Sequence, residues 1–250
     1  MNKMIVSNWK MAPISLAEAQ QILDSVSEYV GSLGDKSWFD LVFCPPFVFL
    51  EEVGRLLKSS PLARSSVLGA QDIFWDDAGA DTGEISGPML SKLEVKYVIV
   101  GHSERRWKLG ESDEVVNKKL KACLRNELVP IVCIGEKSRE GDYKKFLEDQ
   151  VDATFDGLSI DEVGKCIIAY EPVWAISSNP GAKPDTPKSA LESIGYIKEI
   201  LGIENKYLYG GSVNSGNIED FISKEKIDGV LVGGASVNKE EFLKLLAKVK

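Results

Sequence analysis

Tyr97-Val98-Ile99-Val100-Gly101-His102-Ser103-Glu104 passes in one step from an unbroken apolar run to a cluster of polar groups. A strand with one wet face alternates apolar and polar residues, whereas a strand covered on both faces stays apolar throughout. Residues 97–100 are therefore expected to form an interior strand of a parallel sheet, with 101–104 at its carboxyl end. The same pattern recurs at Met4-Ile5-Val6, Leu41-Val42-Phe43, Val67-Leu68, Ile131-Val132-Cys133-Ile134, Cys166-Ile167-Ile168-Ala169, Tyr207-Leu208-Tyr209 and Gly229-Val230-Leu231-Val232. That makes eight candidate strands.

Segments with helical period and charged outer faces lie between them: 16–30, 50–57, 115–124, 143–151, 188–201, 218–222 and 240–249. In the first, Leu16, Ile22, Leu23, Val26 and Val30 are expected on one buried face. Residues 71–92 carry several glycines, a proline and little helical period, and read mainly as a long loop. Eight strand-helix units in 250 residues average about 31 residues each, the size of a βα repeat. No Pro/Ser-rich linker divides them, so one domain over residues 1–250 is expected. An open doubly wound sheet and a closed (β/α)8 barrel both alternate in this way. The strand count, the length and the lack of a G-x-G-x-x-G after the first strand favour the α/β class with the closed barrel.

Composition narrows the function. With 44% hydrophobic and 27% charged residues the chain is an ordinary globular protein rather than a disordered or fibrous one. Its 30 basic and 38 acidic side chains give a net charge of −8, which argues against a broad basic face for nucleic acid or anionic lipid. An anionic ligand would need a locally built site. Cys44, Cys123, Cys133 and Cys166 form no C-x-x-C pair and share the chain with one histidine, which excludes zinc-finger and haem-attachment spacing. A disulfide framework is not expected at this length, and Cys133 reads as a packing residue. The amino terminus has no signal-peptide core, and no apolar run approaches the roughly 20 residues that span a bilayer. A cytoplasmic protein is expected.

In such barrels the chemistry sits where strands end. The first strand ends in Asn8-Trp9-Lys10; a lysine there reads on its own as an ordinary solvated side chain. After the fourth strand stands His102, suited to proton work but also to a plain structural role. Ser103 is expected to cap a short helix begun by Glu104 and Arg105, whose positive end would disfavour an imidazolium at His102. The sixth strand ends in Tyr170-Glu171-Pro172-Val173-Trp174. Glu171 followed by proline could be a turn entry. Its bulky flanks instead predict a partly desolvated carboxylate poised as a general base. The seventh and eighth strands run into Gly210-Gly211-Ser212 and Gly233-Gly234. Glycine pairs permit tight turns, but at the last two strands of a barrel their N–H groups are also placed to bind phosphate.

Taken together, Asn8-Trp9-Lys10, Gly101 through Arg106, Ala169 through Ile176, Tyr209-Gly210-Gly211-Ser212-Val213 and Gly233-Gly234 resemble the triosephosphate isomerase family, the source of the TIM-barrel name. The five motifs run in order from residue 8 to residue 236 at five strand ends. The resemblance implies interconversion of dihydroxyacetone phosphate and D-glyceraldehyde 3-phosphate through an enediolate, in glycolysis and gluconeogenesis, with no metal and no organic cofactor. Glu171 would be the base and His102 a neutral acid, a pairing already established for that family and taken from it. Lys10 would stabilise oxyanion character with Asn8 supporting the same oxygens, and Glu104 would position Lys10 or an arginine. Ser212, Gly233 and Gly234, with Ser177 of a lid after Trp174, would hold the phosphate. Residues 71–86 resemble a loop that reaches a second subunit, which implies a homodimer.

The lid departs from the family pattern. Ser177 stands where a glycine is usual, and 177–185, with Pro180 and Pro184, is about three residues longer than common. The departure leaves an alternative open, a non-catalytic or differently specific phosphate-binding barrel. An aldolase acting through a Schiff base at Lys10 fits less well than isomerisation, because a glutamate base is also present.

Overall fold

The computed structural model describes residues 2–34, 38–176, 182 and 185–249. Among these residues eight parallel strands pair in chain order: β1 (Lys3–Asn8), β2 (Phe39–Cys44), β3 (Ser66–Ala70), β4 (Tyr97–Val100), β5 (Val129–Ile134), β6 (Ile167–Tyr170), β7 (Lys206–Tyr209) and β8 (Gly229–Val232). β8 then pairs with β1, in the register Met4 to Gly229 and Ser7 to Val232, and closes the barrel.

The unbroken apolar character of the strands has a direct cause. Val42, Cys44, Ile99, Ile131, Cys133, Ile167, Ala169, Leu208 and Leu231 alternate inward to fill the barrel. Their neighbours Leu41, Phe43, Val98, Val100, Val132, Ile168, Tyr170, Val230 and Val232 turn outward against the helices. Both faces of the strands are thus covered, and the solvated strand side chains, Asp40 and Lys206, stand at the amino-terminal ends of β2 and β7.

The helices are α1 (Leu16–Ser32), α2 (Leu50–Lys58), α3 (Gly87–Lys92), α4 (Ser103–Leu109), α5 (Asp113–Arg125), α6 (Tyr143–Phe155), α7 (Ile160–Val163), α8 (Pro187–Leu201), α9 (Ile218–Ile222) and α10 (Lys239–Leu246). α1 starts where the Ser15 side chain accepts the Glu18 N–H, and it buries Ala19, Ile22, Leu23, Val26 and Val30. Leu16, expected on that face, is exposed; it sits in the first turn, before the helix reaches the barrel wall. The 71–92 segment is a loop only as far as Ser86. Pro88, at the start of α3, supplies a helical φ and has no N–H to leave unpaired, so a short helix forms without a long amphipathic pattern.

One charged cluster is buried beside the barrel. Lys119 of α5 is 2% exposed, with Nζ 2.7 and 2.6 Å from the carboxylate oxygens of Asp72 and 2.5 Å from Glu111 Oε1. Burial pushes the Asp72 carboxyl above its ordinary range, although Lys119 and Arg105 pull it back.

Candidate active site

At the carboxyl ends of the strands lies a cavity of about 700 Å³, lined by Asn8, Lys10, His102, Glu104, Glu171, Ser212, Gly233 and Gly234 among others. These residues come from five separate strand ends, those of β1, β4, β6, β7 and β8, and only closure of the sheet brings them together.

Lys10 follows β1 with φ of 55°, a left-handed conformation that costs a side-chain-bearing residue of order 1–3 kcal/mol. Its backbone is pinned on both sides. The Lys10 N–H donates to Asn8 Oδ1 at 3.1 Å, and Gln71 Nε2 donates to the Lys10 carbonyl at 2.9 Å and to that of Cys44 at 2.9 Å. Its Nζ lies 3.0 Å from Glu104 Oε1. Burial pushes the Glu104 carboxyl up, but the Lys10 hydrogen bond and the charges of Lys10, His102 and Lys108 hold it below the ordinary range. The ammonium is thereby fixed at the cavity rim by a partner that stays ionised.

His102, not Ser103, caps α4. The Glu104 N–H donates to His102 Nδ1 at 3.2 Å. The imidazole reaches the N2 amide with its own ring nitrogen, so the serine moves one place into the helix and its hydroxyl is left buried without a partner. A ring that accepts at Nδ1 carries its proton on Nε2 when neutral. That Nε2 lies 3.2 Å from Glu171 Oε1, while the Ser103 N–H donates to Glu171 Oε2 at 2.9 Å. The serine contributes its amide where its hydroxyl had been expected.

Glu171 is 2% exposed, just beyond β6, with its own N–H bonded to the Ile134 carbonyl. Pro172 and a 3-10 turn over Val173–Ala175 carry the chain away from the strand. Ser212 Oγ donates to the Ala175 carbonyl at 2.9 Å, joining the seventh strand end to that turn. Gly233 is held against Lys10, where a Cβ would stand 3.0 Å from Lys10 Cε. Ser177 and most of 177–185 lie outside the described residues.

Sequence reasoning passed over Gln71 and Glu136. Glu136 is 1% exposed, and its Oε1 accepts from Tyr170 Oη at 2.8 Å and Trp174 Nε1 at 2.9 Å. Its position two residues beyond β5, at a strand end, is the sequence signal that marks it. Among the described residues no group of three or more His, Cys, Asp or Glu side chains is arranged to hold a metal ion, and no helix is long and apolar enough to cross a membrane.

The arrangement can abstract a proton with Glu171, polarise an adjacent oxygen through His102 and Lys10, and seat an anion near the glycine turns. Comparison with known proteins identifies the family. The family model described as triosephosphate isomerase matches residues 3–249. The chain is 41% identical to a triosephosphate isomerase of Synechococcus sp. (strain JA-2-3B'a(2-13)) over 249 residues, covering 97% of this chain and 95% of the relative. It is 40% identical to the Dictyoglomus turgidum protein of that name, with 96% of each covered, and 39% identical to that of Roseiflexus castenholzii, with 97% and 96% covered.

Proposed function

The chain belongs to the triosephosphate isomerase family, and on that premise we propose that it interconverts dihydroxyacetone phosphate and D-glyceraldehyde 3-phosphate with Glu171, His102 and Lys10 as the reacting groups. The observation that carries the assignment is the Glu171 carboxylate, held between the Ser103 N–H and His102 Nε2 in the cavity that Lys10 also lines. Glu171 removes a proton from the carbon beside the carbonyl and returns it to the neighbouring carbon. His102 donates from Nε2 to the substrate oxygens, which take the place of the carboxylate as its partner. Lys10 supplies a fixed positive charge to the enediolate, stronger in a water-poor site than in solution. Glu104 holds that ammonium in place, and Asn8 supports the same region through its bond to the Lys10 N–H.

Phosphate is assigned to the N–H groups of Ser212, Gly233 and Gly234 at the ends of β7 and β8, with Ser177 completing the set from the lid. Binding energy from this non-reacting group is then available to orient the reacting carbons.

A homodimer is part of the proposal. Met11 is 95% exposed, Ile14 86% and Val48 83%, in the segments that follow β1 and β2, and Met89 of α3 is 56% exposed. Clustered exposed apolar side chains mark a contact surface. The adjoining loop is braced by the Phe74 N–H bonded to the Ile85 carbonyl and by Arg125 of α5 paired with Asp77. A cytoplasmic location is supported by four buried cysteines, all free.

Proton NMR of the protein with dihydroxyacetone phosphate in heavy water tests the reaction. Formation of glyceraldehyde 3-phosphate with deuterium at the carbon beside the carbonyl is expected. Absence of both would return the chain to the non-catalytic alternative.

A further inference from the structure

Arg139, in the loop between β5 and α6, touches both sides of the base without touching the cavity. Its Nε lies 3.0 Å from Glu136 Oε1, the atom that also accepts from Tyr170 and Trp174. Tyr170 immediately precedes Glu171 and Trp174 follows it by three residues. Arg139 Nη2 sits 3.3 Å from Tyr170 Oη, 2.9 Å from the Ser189 carbonyl, 2.8 Å from Ser189 Oγ and 2.9 Å from Ser193 Oγ. The guanidinium carbon is also 4.4 Å from the centroid of the Tyr143 ring. One cation thus ties the strand end that carries the base, the turn after it and the helix α8 to a single point.

We propose that Arg139 is a positioning residue for the base Glu171, acting through Glu136, Tyr170 and Trp174. The inference rests on the assignment of Glu171 above and extends it to a residue outside the cavity. A carboxylate as deeply buried as Glu136 is stable in its ionised form only when paired. Its second oxygen, Oε2, is buried without a partner, so Arg139 supplies the one positive charge in direct contact with it among the described residues. Remove that contact and the buried Glu136 loses the cation that fixes its Oε1, so that it holds Tyr170 and Trp174 differently. Tyr170 cannot compensate by ionising, because burial and the neighbouring Glu136 push its hydroxyl well up and keep it a donor. Lysine would restore a point charge but not the planar fork that reaches Glu136 and α8 at once.

The test is Arg139→Ala and Arg139→Lys in the full chain, assayed with dihydroxyacetone phosphate and with the same substrate deuterated at the transferred position. Because a displacement of about 1 Å at the reacting groups costs about 100-fold, kcat of Arg139→Ala is expected to fall about 10- to 100-fold, with KM within about twofold. The primary isotope effect on kcat is expected to rise, since proton abstraction becomes the slow step. Arg139→Lys is expected to recover part of kcat, and methylguanidinium added to Arg139→Ala below denaturing concentrations to do the same. An unchanged kcat in Arg139→Ala overturns the proposal. So does a loss of kcat with an unchanged isotope effect and a matching loss of folded protein by near-UV circular dichroism. If Arg139→Ala does not fold, the isotope effect of Arg139→Lys decides in the same way. A wild-type chain without isomerase activity would instead overturn the underlying assignment, a result visible before any variant is made.

Discussion

Gly210 faces Glu171 across a gap with no room for a methyl group. A Cβ on Gly210 would stand 2.8 Å from Glu171 Cγ and 3.3 Å from the Tyr170 carbonyl oxygen. Because the carboxylate is fixed at both oxygens, the side chain can yield only by leaving His102 or Ser103. Gly210→Ala is therefore expected to lower kcat by about 10- to 100-fold while the barrel remains folded. Steady-state kinetics beside a far-UV circular dichroism spectrum checks it.

Lys10→Met keeps the length of the side chain and removes its charge. The loss of a preorganised charge aimed at a developing oxyanion is worth about 100- to 1000-fold in kcat, and that is the expected fall. Glu104 then loses the partner that lowers its carboxyl. Kinetics at saturating substrate, compared with Lys10→Arg, separates charge from shape.

The Glu104 carboxyl also links stability to pH. Its folded-state value lies below the ordinary one, about 4.3 for glutamate, so the unfolded chain takes up a proton first as pH falls. The stabilisation is present above that ordinary value and is lost as pH drops through the folded value. Thermal unfolding of Glu104→Gln should show a smaller decline in Tm below about pH 4.3 than the wild type does.

Lys119 neutralises Asp72 and Glu111 in a setting with little access to water. Lys119→Met leaves Arg105 as the remaining cation for both Asp72 and Glu111, and a loss of about 3 kcal/mol, the low end for a broken buried pair, is expected. Urea unfolding at fixed protein concentration measures it.

The proposed homodimer is tested at the exposed apolar side chains. Ile14→Asp and Met89→Lys place charges in the surface assigned to the second subunit, and both are expected to shift sedimentation from dimer to monomer. A wild-type chain that sediments as a monomer would refute the dimer.

The eight strands were legible because burial on both faces writes itself into a run as short as Tyr97 to Val100. The strand-end rule then located His102, Glu171 and the glycine turns with no knowledge of side-chain direction. What stayed hidden depended on contacts between distant segments. Ser103 was expected as a helix cap from its residue type, yet an imidazole one position earlier reached the same amide. α3 escaped notice because a six-residue helix carries too little period to read. Glu136 stands at a strand end where the same rule applies, but the link from Arg139 through Tyr170 to the base depends on β5 and β6 lying side by side.

Pairing of β8 with β1 leaves the described sheet without a free edge. Backbone groups that would otherwise template another chain are all engaged, which protects a strand-rich protein from edge-to-edge aggregation. The same closure makes β8 a safeguard as well as a support for the cavity wall at Leu231, Gly233 and Gly234. A copy that loses β8 exposes two strand edges at once, those of β1 and β7. Such a copy would be drawn into precipitates instead of persisting as a crippled enzyme.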